Sequence, residues 1–351
     1  MAAVGLAGCS WAHAALRPAR SQGYRSRPDL SPPSLTVIKL TAAAGAGPLF
    51  LTPNGGGAQA GPMIAGGDGG LVWFRPVEGK SAAGLKVQQY RGAPVLTWWE
   101  GQVGSGHGQG EHVVVDRSYV ELARIRAGGS YQADLHELVI TPAGTALLVA
   151  YNEETADLTP VGGSGAGHVL DSIIQEVDIA TGQVLLEWHS LGGVALEESH
   201  APLPGAGQPF DYFHVNSVDV DGDGNLLVSA RNTWAVYKVD RTSGQVIWRL
   251  GGKRSDFAMG NRAGFAWQHD ARRQPDGALT LFDDGAAPQV EPRSRGLVLK
   301  LDKARMTSTV EREDDGSPGH GAVVARSGAQ RATAGDSPRV RPEASWARTA
   351  T

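Results

Sequence analysis

The sequence predicts an all-β chain, and within that class a β-propeller, on three observations. Glycine (48) and proline (20) are abundant in a chain of 351 residues that is 41% hydrophobic, a balance suited to many short strands joined by tight turns. Turn dipeptides precede β-prone runs: Asp68-Gly69 before Leu71–Phe74, Gly144-Thr145 before Ala146–Tyr151, and Gly224-Asn225 before Leu226–Ala230. Related segments recur in a shared phase, as radially repeated four-stranded units require.

The repeats carry most of that inference. Three segments begin with histidine and run through a β-prone stretch to a glycine turn: His136-Glu-Leu-Val-Ile-Thr-Pro-Ala-Gly144, His214-Val-Asn-Ser-Val-Asp-Val-Asp-Gly222 and His269-Asp-Ala-Arg-Arg-Gln-Pro-Asp-Gly277. Two continue into a second signature, Val177-Asp-Ile-Ala-Thr-Gly182 closing on Trp188 and Val239-Asp-Arg-Thr-Ser-Gly244 closing on Trp248, with a looser copy at Leu297–Asp302. The histidines lie further apart than a blade of roughly 40–50 residues, so Glu153–His168 and Leu191–Pro209 are read as insertions. Trp73, Trp188 and Trp248 are expected to fill the gaps between stacked sheets. About four or five blades are expected in this chain.

Three segments follow: a leader and linker at 1–33, a propeller at 34–303, and a low-complexity tail at 304–351, where the alternating apolar pattern stops. Both ends are expected to be disordered. Cys9 after Leu6-Ala7-Gly8 resembles a lipobox, and Ala12-His13-Ala14 resembles a signal-peptide cleavage site; both point to export, as a secreted chain or a membrane-anchored lipoprotein. A single cysteine excludes a disulfide framework and any cysteine-based metal cluster. Net charge of −4 gives no footprint for nucleic acid. No run of 18 or more apolar residues offers a transmembrane helix.

In a propeller the first strand of each blade lines the central channel, so residues of equal phase point at one axis. His136, His214 and His269 are therefore the candidate site, with Asn216 on the same strand face as His214 and Arg231 ending the next strand. The other histidines lack the phase and are read as structural, His107 and His112 among them in a glycine-rich stretch. Asp219-Val-Asp-Gly-Asp-Gly-Asn225 imitates a calcium loop but carries Ala230 at the twelfth position. It is read as a hairpin turn. No metal ligand and no cofactor is assigned.

These residues look like a known family. Gly61-Pro-Met-Ile64 with Leu71–Phe74, Gln89-Tyr-Arg-Gly-Ala-Pro-Val-Leu-Thr-Trp-Trp99, Asp134-Leu-His-Glu137, Tyr212-Phe-His-Val-Asn-Ser217, Ser229-Ala-Arg-Asn-Thr233, Trp248-Arg-Leu-Gly-Gly252 and Trp267-Gln-His-Asp270 resemble the PAPS-independent arylsulfotransferases over about residues 28–302. The resemblance implies a six-bladed propeller. It also implies transfer of a sulfuryl group from a phenolic sulfate ester to a phenol acceptor through a sulfohistidine. By motif His269 matches the nucleophile, while His136, His214, Asn216 and Arg231 match the groups that hold sulfate and handle protons.

That chemistry suits the residue types. A guanidinium stabilises charge spread over the sulfuryl oxygens, a neutral imidazole attacks, and a protonated His136 or His214 assists the departing phenolate. Where further blades are expected, the tail at 304–351 suggests truncation, and an open seam would favour a homo-oligomer. Two rival readings remain. The Asp-x-Thr-Gly signature also resembles quinoprotein propellers, oxidoreductases that hold pyrroloquinoline quinone, and a non-catalytic propeller would serve as a binding scaffold.

Overall fold

The computed structural model describes residues 27–35, 47–53, 59–205, 207–286 and 288–314. Cys9 and the Ala12–Ala14 segment lie outside them, as do residues 315–351 of the expected tail.

Twenty strands and two 3₁₀ turns make up the described secondary structure. A three-stranded sheet holds β1 (Leu49–Leu51), β2 (Met63–Ala65) and β3 (Leu71–Phe74). Two antiparallel meanders follow: β4 (Ser81–Tyr90), β5 (Ala93–Gly104), β6 (His107–Val115) and β7 (Glu121–Ile125), then β8 (Ala133–Ile140), β9 (Thr145–Ala156), β10 (Gly167–Asp178) and β11 (Val184–His189). Their backbone ladders are joined at one pair, Gly110 with Ala133. A third meander contains β12 (Val215–Val220), β13 (Leu226–Ala230), β14 (Ala235–Val239) and β15 (Val246–Gly251). The fourth contains β17 (His269–Arg273), β18 (Leu279–Asp283), β19 (Arg295–Asp302) and β20 (Thr307–Asp314), with the short β16 (Ala258–Met259) pairing parallel to β20.

The first strands β4, β8, β12 and β17 contact one another in succession, and the hydrophobic clusters lie between successive sheets. Strand alternation explains this. In β13, Leu226 and Val228 face the cluster shared with β9 and β10, while Leu227 faces the cluster shared with β18 and β19. Interior strands buried on both faces therefore read as continuous apolar runs rather than alternating ones. This radial stacking of antiparallel sheets is a β-propeller. Trp188 and Trp248 fill the intersheet gaps as expected, and Trp98 and Trp99 are buried more completely still.

Two sequence expectations change. β20 lies beyond residue 303, the expected edge of the propeller, so the ordered sheet reaches Asp314. Its polar Thr307-Ser-Thr-Val-Glu-Arg-Glu-Asp314 is an outer strand with little apolar surface to cover, which is why no apolar pattern marks it. Much of the Glu153–His168 insertion is the continued β9–β10 hairpin, paired out to Ala156 with Gly167. The Asp219–Asn225 segment carries the hairpin turn between β12 and β13 as expected, and its Asp221 carboxylate accepts from Lys238 Nζ at 2.7 Å and Arg273 Nε at 2.9 Å.

Candidate functional site

The shared phase brings the three expected histidines together. His136 lies on β8, His214 immediately precedes β12 and His269 opens β17. The His136 ring centroid is 5.1 Å from that of His214 and 6.5 Å from that of His269. Arg231 follows β13, where its amide donates to the His214 carbonyl at 2.9 Å. Its guanidinium lies 4.3 Å from the Trp267 ring centroid, a cation–π contact, and 3.7 Å from Asp211.

Each imidazole has one nitrogen pinned. His136 Nδ1 lies 2.5 Å from Asp134 Oδ1. Burial alone would raise the Asp134 carboxyl, but His136 and the amides of Gly108 and His136 outweigh it and hold the group below its ordinary range. The ionised carboxylate then stabilises a proton taken up by His136. His269 Nδ1 donates to the Trp267 carbonyl at 2.8 Å, which leaves the lone pair of the neutral ring on Nε2. His214 Nδ1 lies 2.5 Å from Asp211 Oδ2. Burial outweighs that carboxylate and, with Arg231 and His136 adding to it, pushes His214 down to about 3.

His214 is thus neutral at pH 7. Asp211 also faces His107 Nε2 at 3.4 Å and Arg231 at 3.7 Å. Asn216 is narrowed as well. Its Nδ2 donates one hydrogen to the Gln268 carbonyl at 2.7 Å, which holds the chain beside His269 and leaves the second hydrogen for another acceptor. Gln268 is itself anchored through Nε2 to Ser229, Ala230 and Ala235.

His107, Asp211, Tyr151 and Asp134 join the site without having been expected. The His107 ring lies 4.7 Å from His214 and 4.4 Å from Tyr151, whose hydroxyl donates to the Val215 carbonyl. The signal that hid His107 was its surroundings. Gly101, Gly108 and Gly110 suggested a loop, yet they lie on β5 and β6, where added Cβ atoms would collide with Trp99, Leu135 or the facing backbone. Asp134 and Asp211 carried a detectable signal, one lying two residues and the other three before a phased histidine.

Among solved structures, a protein of unknown function from Bacteroides caccae is 15% identical, with 80% of this chain and 77% of that chain covered and a TM-score of 0.46. A catalytically inactive virginiamycin B lyase from Staphylococcus aureus, solved with quinupristin, is 12% identical over 81% of this chain and 74% of that one, with a TM-score of 0.40. A Lactobacillus plantarum protein is 12% identical over 78% and 83%, with a TM-score of 0.37. Similarity this low bears on neither substrate nor chemistry. No curated protein matches the chain. Among the described residues no helix is long and apolar enough to cross a membrane. The sequence matches the arylsulfotransferase (ASST) family over residues 86–321, a span that contains all the phased histidines, Asn216 and Arg231; the chain belongs to that family.

Proposed function

We propose that the chain transfers a sulfuryl group from a phenolic sulfate ester to a phenol acceptor, with His269 as nucleophile. One observation carries the reading: in a chain of this family, His136, His214 and His269 meet beside a guanidinium anchored on Trp267. Nε2 of His269 attacks sulfur, the bond from sulfur to the aryl oxygen breaks, and that oxygen takes a proton from His136. The acceptor phenol then returns a proton to His136 as its oxygen displaces His269 from sulfur. Arg231 stabilises the charge that develops on the sulfuryl oxygens. His214, neutral with its one N–H given to Asp211, has none left for the sulfuryl oxygens, and Asn216 keeps His269 in place through Gln268.

The test is release of nitrophenol from 4-nitrophenyl sulfate in the presence of a phenol acceptor. The His269→Ala variant is expected to lose at least about 10³-fold in kcat, with ping-pong kinetics in the parent. Release unchanged by that substitution would falsify the nucleophile, and no release from the parent chain would favour the binding-scaffold reading. Export is proposed on the Cys9 and Ala12–Ala14 signals, and the mass of the mature chain tests it.

A further inference from the structure

His107 opens β6 directly after the tight turn at Ser105-Gly106, where φ is +51° and +83°. It reaches across to the segment before β12, which supplies Asp211 and His214. One ligand atom from each of His107, Asp211 and His214 lies within 4.8 Å of the others. The three side chains are 16%, 22% and 0% exposed.

Two observations set this group apart from the other polar clusters. Asp211 Oδ1 and His214 Nε2 are buried with no hydrogen-bond partner, although buried lone pairs ordinarily find a donor or an ion. The donor set, two imidazoles and one carboxylate with coordination positions to spare, is the one that first-row divalent metals favour. Other buried carboxylates are met closely by cations of the chain, Asp221 by Lys238 at 2.7 Å and Arg273 at 2.9 Å, Glu198 by Arg249 at 3.0 Å and Asp283 by Arg295 at 2.9 Å, whereas the Arg231 guanidinium stands 3.7 Å from Asp211.

We propose that His107, Asp211 and His214 form a binding site for a divalent transition metal of the Zn²⁺ and Co²⁺ class. The site stands on its own donors. Its use rests on the sulfotransfer reading: an ion there, beside His136, would hold a sulfuryl oxygen as a Lewis acid while His269 attacks.

The full chain is freed of metal with a chelator and titrated with Co²⁺. The expected result is one equivalent bound at micromolar affinity or tighter, with visible d–d absorption of nitrogen and oxygen ligation. His107→Ala and Asp211→Asn should each weaken binding at least tenfold, while His168→Ala, which alters an exposed pair with Glu153, should leave it unchanged. No d–d absorption in the parent chain, or binding untouched by both site variants, overturns the site; the parent titration decides even if a variant fails to fold. Nitrophenol release is measured on the same preparations. Release by the metal-free chain overturns the ion's use in sulfotransfer and leaves the site to the titration, while bound ion without release overturns the sulfotransfer reading alone.

Discussion

His214, Trp234, Trp267 and Asp270 all hold left-handed backbone, with φ between +53° and +57°. Such conformations cost a non-glycine residue about 1–3 kcal/mol each and persist only where the surroundings over-determine them. Here they do: the His214 carbonyl accepts from Arg231, Trp267 carries the Arg231 guanidinium, and Asp270 accepts from Arg272 Nε at 2.6 Å. The buried imidazoles set the pH response at this scale. Burial, aided by Lys86, pushes His112 down to about 3, and burial does the same to His214. Their folded proton affinity lies below that of the unfolded chain, so their contribution is intact above about pH 6.5 and is lost as pH falls toward 3. The urea midpoint is therefore expected to be lower at pH 5 than at pH 7.5. His112→Gln, which cannot titrate, should shrink that difference.

The β5–β6 hairpin shows why an element can hide its own function. Gly108 is packed so tightly that a Cβ would lie 2.7 Å from the Trp99 ring and 2.8 Å from the Leu135 amide nitrogen. Trp99 cannot retreat, because it is 1% exposed and its Nε1 donates to the Ala133 carbonyl at 2.9 Å. Gly104, on the same hairpin, has open space where its Cβ would go. The pair predicts a contrast measurable by chemical denaturation. Gly108→Ala should cost about 1–3 kcal/mol from overpacking and displace His107 next to it, whereas Gly104→Ala should be close to neutral.

Across the whole molecule, charges tie the inner strands together. Lys86 on β4 lies 2.5 Å from Glu137 on β8, Glu137 pairs with Arg272 on β17, and Arg272 donates to the Val218 carbonyl on β12 at 2.9 Å. Four sheets thus share one ion network at their first strands. Glu137 and Arg272 are almost wholly buried, so removing Glu137 leaves the Arg272 guanidinium with only Asp270 at 2.6 Å and Asp219 at 3.9 Å to balance its charge. Glu137→Leu is expected to lower stability by about 3–5 kcal/mol, read by denaturant unfolding. Adding Arg272→Met should recover most of the loss, since Lys86 is 37% exposed and can hydrate its own charge.

By itself the sequence determined the sheets and the phase. His136, His214 and His269 were legible because period-two strands and repeated turns assign each copy the same slot facing the axis, and Trp188 and Trp248 were legible for the same reason. Tertiary structure alone decided the partners. His107 reaches the site because glycines let Trp99 and Leu135 pack close across β5, β6 and β8, while Asn216 is turned to Gln268 by a hydrogen bond between neighbouring sheets. The first group is a property of one repeat, which periodicity reports. The second depends on how closely one sheet approaches the next, and only packing sets that distance.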